Sequence, residues 1–122
     1  MNDIKLMNKA ADNIRILAAS MVEKAKSGHP GGAMGGADFV NVLFSEFLVY
    51  DPKNPAWEGR DRYFQDPGHM SPMLYSVLAL AGKFTIDELK EFRQWGSVTP
   101  GHPEVNVMRG IENTSGPLGQ GH

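Results

Sequence analysis

The sequence predicts an α/β fold, of which these 122 residues form a helix-rich portion with about one strand. Apolar residues recur at steps of three and four in several segments, which is helical spacing. One short run alternates as a strand does. The stretches between are rich in glycine and proline, which break both kinds of element. A lone strand has no ladder for its backbone groups, so the sheet it belongs to must take strands from elsewhere.

The first helix runs from Met7 to Ala25, where Met7, Ala10, Ile14, Leu17, Met21 and Ala25 form one apolar stripe and Gly28 and Pro30 stop it. A second follows the glycines at 31, 32, 35 and 36. Ala37, Val40, Phe44 and Phe47 share its face, Asp38 sits where a helix N-terminus favours negative charge, and it ends near Tyr50. Asp51-Pro52-Lys53-Asn54-Pro55 is turn chemistry. Arg62-Tyr63-Phe64-Gln65 is the candidate strand, ended by Asp66-Pro67-Gly68. From Met70 to Ala81 a helical face carries Met73, Leu74, Val77, Leu78 and Ala81, with Gly82 as its left-handed stop. Thr85-Ile86-Asp87-Glu88 has the spacing of a capping box, and Phe84 with Leu89 is placed as a hydrophobic staple. That helix fades near Gly96. Thr99 to Gly121 then has little periodicity and many glycines and prolines, so it reads as a loop built for close backbone approach.

A hydrophobic content of 41% supports one core and not two. The net charge of −2, with no long run of either sign, calls for neither nucleic acid nor a membrane surface as partner. The absence of cysteine excludes a disulfide framework and Cys-based zinc or nucleophile sites. Met1 to Lys9 has no apolar run of signal-peptide length, and the expected location is the cytoplasm. The chain stops at His122 inside a glycine-rich stretch of the kind that opens onto a helix, so residues 1–122 read as the truncated first part of a domain.

All four histidines follow a glycine, at 28-29, 68-69, 101-102 and 121-122, which places them on turns. A histidine on a turn can project into a cleft and exchange protons near neutral pH. From residue type alone each reads first as a turn residue that bonds a nearby carbonyl. Gly116-Pro117-Leu118-Gly119-Gln120-Gly121 lacks the lysine and hydroxyl of a phosphate-binding P-loop and does not match the dinucleotide fingerprint. Together, four such loops on helix ends point to a phosphate- or cofactor-binding edge.

The order of these stretches is specific. Ser27-Gly28-His29-Pro30-Gly31-Gly32, Met34-Gly35, Asp51 to Pro55, Arg60-Asp61-Arg62, Gly68-His69, Thr99-Pro100-Gly101-His102-Pro103-Glu104 and Thr114 to Gly121 resemble, in this order, the N-terminal part of the transketolases. The resemblance implies a thiamine diphosphate-binding fold, its diphosphate-side domain, and transfer of a two-carbon ketol unit between sugar phosphates in the pentose phosphate pathway. It also implies a homodimer and a divalent metal, Mg2+ or Ca2+. It assigns His29 and His102 to the substrate and its catalysis, and His69, Gly116, Pro117 and Leu118 to the cofactor. The family's metal motif and its activating glutamate are expected beyond residue 122, so the chain alone is expected to be inactive and to need the remainder of the enzyme. Dihydroxyacetone synthase and deoxyxylulose-phosphate synthase are rivals within the superfamily; the stretches at 99–104 and 116–121 favour transketolase over the latter. A rival of another class is a non-catalytic fragment or split-enzyme subunit that works by binding a partner chain.

One departure stands out: Met70-Ser71-Pro72 follows His69 where the family has small residues, which puts the local pocket shape in question. Trp57 and Trp95 read as packing, Met70 and Met73 as core filling, and Arg60-Asp61-Arg62 as solvated or paired surface charge.

Overall fold

The computed structural model describes residues 2–117. Five helices form the frame: α1 (Ile4–Ala25), α2 (Pro30–Gly35), α3 (Ala37–Val42), α4 (Ser71–Leu80) and α5 (Ile86–Lys90). Asp3 caps α1 by accepting from the Lys5 N–H, and Lys26 ends it in the left-handed region. The stripe read from the sequence lies inward but is wider than expected, since Ala11 and Ala18 are buried with Ile14 and Met21. These small residues let α1 pack closely across α2, α3 and α4.

The Gly-rich run after His29 departs from expectation. It is not a loop ahead of a helix but is itself helical, with Pro30 at the first position of α2 and Gly36 between α2 and α3. The α3 helix runs on into a π-helical turn over residues 43–47, closed by the Leu48 N–H donating to Leu43 O at 2.9 Å. The wider turn breaks the 3.6-residue period, so Phe47 faces outward at 70% exposure while Ala37, Val40 and Phe44 stay in the core.

Helix α4 is central, with every residue from Ser71 to Leu78 buried. Its hydroxyls are all bonded: Ser71 Oγ to Gly101 O, Tyr75 Oη to Pro100 O, and Ser76 Oγ back to Pro72 O. Burial at these positions is possible because each polar atom finds an acceptor. The Thr85 capping box forms as its spacing predicts, and both staple residues, Phe84 and Leu89, are buried. The helix it starts is only five residues long, ending well before Gly96.

Residues 61–66 form no ladder among the described residues; the bridge between Asn106 and Ile111 is isolated. The candidate strand still alternates, with Tyr63 and Gln65 turned inward and Arg62 and Phe64 outward. Its backbone at Gln65 is held by side chains instead. The Gln65 N–H donates to Asn113 Oδ1 at 3.0 Å, and Gln65 O accepts from Ser115 Oγ at 2.5 Å.

Arg60 and Glu112 make a bidentate ion pair at 2.6 and 2.9 Å, with side chains only 9% and 8% exposed. Arg60 is thus a buried tie between two segments and not the surface charge expected of it. Among the described residues no helix is long and apolar enough to cross a membrane.

Candidate functional site

Four loops meet at one end of α4. The first, Ser27-Gly28-His29, leaves α1 through Lys26 and turns at Gly28, whose φ of 128° is open to glycine and strained for other residues. His29 then takes an extended conformation at the N-cap of α2 and stays exposed. The second is a single 3₁₀ turn, Gly68–Met70, which carries His69 directly into α4. The third holds His102, and α4 pins it from below through the Ser71 and Tyr75 hydroxyls, each 2.7 Å from its carbonyl. The fourth is the start of the terminal glycine stretch, tied to the third by the Ser115 N–H donating to Pro103 O at 3.1 Å.

These ties bring the predicted histidines together. The rings of His29 and His69 lie edge to face, with centroids 5.0 Å apart and planes at 71°. Gly68 is the meeting point of the other two loops. A Cβ there would stand 2.6 Å from Gly116 O, 2.8 Å from Ser115 Cβ and 3.2 Å from His102 Cδ2. Gly116 turns at φ 58°, and Pro117 follows it in the same turn. Leu118 and His122 lie outside the described residues.

Partial burial first, then the positive charge of Arg93 and electrostatic coupling to the neighbouring His69 and His29 rings, hold the His102 pKa below the ordinary histidine value. The His69 Nδ1 atom is buried with no hydrogen-bond partner among the described residues. Buried ring nitrogens are rarely left so, and this one has its bonding capacity free for a ligand. The absence of a side chain at position 68 lets the Gly116 backbone and the His102 loop close onto the His69 turn, beside the orphaned nitrogen. Among the described residues no group of three or more acids or histidines is placed to hold a metal ion.

The departure after His69 has a steric counterpart. Met70 lies against Gly32 of α2, where a Cβ would approach its Cγ to 2.9 Å, and Met73 Sδ sits 2.6 Å from the Cβ position of Gly36. The large side chains of Met70, just before α4, and Met73, within it, are matched by the missing side chains of Gly32 in α2 and Gly36 just after it. Met73 is core filling, as expected, at 2% exposure. Trp95 is not packing: it is fully exposed and lines an open groove of about 770 Å³ with Ser27, Arg93, His102 and Glu104.

Ser71, Tyr75 and Arg93 were not among the residues the sequence singled out. A signal existed for the first two, which stand four apart in a helix otherwise rich in apolar residues and so share a face. For Arg93 there was none, because its role depends on a left-handed backbone turn at φ 61°.

The sequence matches the family described as transketolase, thiamine diphosphate binding domain, over residues 6–122. It is 54% identical over 117 residues to a transketolase of Buchnera aphidicola subsp. Baizongia pistaciae, an alignment covering 95% of this chain and 18% of that protein. The fold superposes on a transketolase from Campylobacter jejuni with a TM-score of 0.89 at 48% identity, covering 98% of this chain and 19% of the other. It matches a Pichia stipitis transketolase, solved in complex with sedoheptulose-7-phosphate, with a TM-score of 0.87 at 46% identity, covering 94% and 17%. The chain therefore spans under a fifth of the length of these relatives.

Proposed function

Because the chain belongs to the transketolase family, as the N-terminal part of its thiamine diphosphate-binding domain, we propose that it supplies the imidazole side of a ketol-transfer site in a completed enzyme. In this reading His29 and His102 bind the sugar phosphates and handle the protons of their hydroxyls, while His69, Gly116, Pro117 and Leu118 line the cofactor. The observation that carries it is the gathering of three histidine loops and the Gly116 backbone around Gly68. Sugar phosphates as substrates are supported by the Pichia stipitis enzyme's complex with sedoheptulose-7-phosphate.

When bound, thiamine diphosphate supplies the electron sink for carbon–carbon cleavage. The chain's own residues orient the substrate and move protons. His102, with its lowered pKa, is a neutral imidazole at neutral pH, so one ring nitrogen is free to take a hydroxyl proton and return it. His69 has a buried ring nitrogen without a partner among the described residues, and in this reading it would donate to an oxygen of the diphosphate. His29, exposed at the head of α2, reaches the donor sugar. A magnesium or calcium ion held by residues beyond 122, a homodimer, a cytoplasmic location and a place in pentose phosphate interconversion belong to the same proposal.

His102→Ala in a full-length enzyme carrying this segment should slow turnover by roughly 10²- to 10⁴-fold, with far less change in cofactor affinity. Equal losses in both would overturn the role of His102. The alternative reading is a non-catalytic module that works by binding a partner polypeptide. Calorimetry with thiamine diphosphate and magnesium, with and without the remainder of the enzyme, separates the readings. Binding that appears only on mixing supports a shared site, and none under either condition leaves a non-catalytic module.

A further inference from the structure

One side chain lies between two of the three histidine loops. Arg93 closes the turn after α5, where its backbone N–H donates to Thr99 O at 3.0 Å. From there its Nη1 donates to Ser27 Oγ at 3.0 Å, reaching the loop of His29. Its Nε is buried against the loop of His102, 2.8 Å from where a Cβ on Gly101 would stand, with Cζ at 3.1 Å. The guanidinium covers the ring of Phe92 at 5.7 Å from its centroid. That ring in turn lies 3.1 Å from the Cβ position of Gly28. Gly28 precedes His29 and Gly101 precedes His102, so the Phe92–Arg93 pair fills the space between the two glycines.

The fit is specific to arginine. A planar fork can bond one loop at its tip and lie flat on another, and it keeps its charge at any working pH. No carboxylate pairs with Arg93 among the described residues, whereas Arg15, Arg60 and Arg109 each hold one. Its charge is therefore not offset by an ion pair among the described residues, and Arg93 and His102 line the same groove. We propose that Arg93 is a positioning residue: it holds the loops of His29 and His102 at a fixed separation and places an unneutralised positive charge beside His102. The charged and titratable groups around His102 are then Arg93 from the turn after α5, His69 from the head of α4 and His29 from the head of α2, with Glu104 in the same groove. Burial first, and then the Arg93 charge, disfavour the imidazolium of His102.

The geometric part of this inference stands by itself, and its effect on turnover rests on the ketol-transfer reading. The test uses a full-length enzyme carrying this segment and the variants R93M, R93K and S27A. Hydrogen–deuterium exchange should quicken in R93M over residues 26–30 and 99–104 and nowhere else. Turnover should fall by roughly ten- to a hundredfold with little change in cofactor affinity. The acid limb of its rate profile should move to higher pH, because His102 without the neighbouring cation keeps its proton longer. R93K, which keeps the charge but not the fork, should restore the acid limb and leave the exchange fast. S27A, which removes only the Nη1 bond, should quicken exchange at 26–30 alone, and it serves if R93M does not fold. Unchanged exchange in both loops of R93M, or of 26–30 in S27A, would overturn the brace, and an unmoved acid limb in R93M would overturn the charge role. A wild-type enzyme without ketol transfer would overturn the functional reading, while the exchange result would still decide the brace.

Discussion

At Gly68 three loops approach so closely that a single methyl group has no room. The nearest obstacle is Gly116 O, a backbone atom that cannot rotate away, with Ser115 Cβ behind it. Gly68→Ala should therefore push the terminal stretch off the His69 turn and destabilise the fold by about 1–3 kcal/mol, read by chemical denaturation. His102 makes a second residue-scale prediction. Its folded-state pKa is lowered, so the unfolded chain takes up a proton first as pH falls below about 6.5. Stability contributed at this residue is complete above that pH and is lost on the way down to the folded value. His102→Gln should flatten that part of the stability profile; a wild-type profile level through this range would contradict the assignment. The glycine–histidine pairs were legible because each residue type speaks for itself, glycine for a turn and histidine for a titratable group. That they face one another was not legible, since the bonds that gather them come from Ser71, Tyr75, Asn113 and Ser115, which are ordinary residues until the chain is folded.

Among the elements, legibility followed the strength of local chemistry. Thr85 and Glu88 satisfy one another's backbone within four residues, so the start of α5 could be read directly. Glu88 also meets Arg109 at 2.7 Å, and these contacts draw its pKa down to about 2. Thr85→Ala should cost about 1 kcal/mol, seen as a lower unfolding midpoint in urea at unchanged slope. The end of α5 was not legible, because it is set by Arg93 entering the left-handed region and bonding Thr99, a contact made through the tertiary fold. The helical state of the Gly-rich run after Pro30 was hidden for a similar reason. Glycine disfavours helix by itself, and here packing against Met70 and Met73 overrides that preference. Phe47 left its expected face because a π-helical turn leaves no distinct trace in a 3.6-residue pattern.

On the scale of the whole molecule, the helices make a single core, while the segment at 61–66 has the alternation of a strand without a ladder. Phe64 stands 60% exposed on its outer side, and Phe47 and Val49 are exposed as well. An open edge of this kind invites pairing. The isolated chain should associate with itself or unfold without a sharp transition, as sedimentation and scanning calorimetry would reveal. A cooperative melt from a strict monomer would contradict this. The seating of Met70 on Gly32 has a consequence for descent as well as for packing. Bulk at one of these positions is tolerated only because it is missing at the other, so in any lineage of this protein the two sites should drift as a pair, with a larger residue arriving on α2 only where a smaller one has already replaced the methionine.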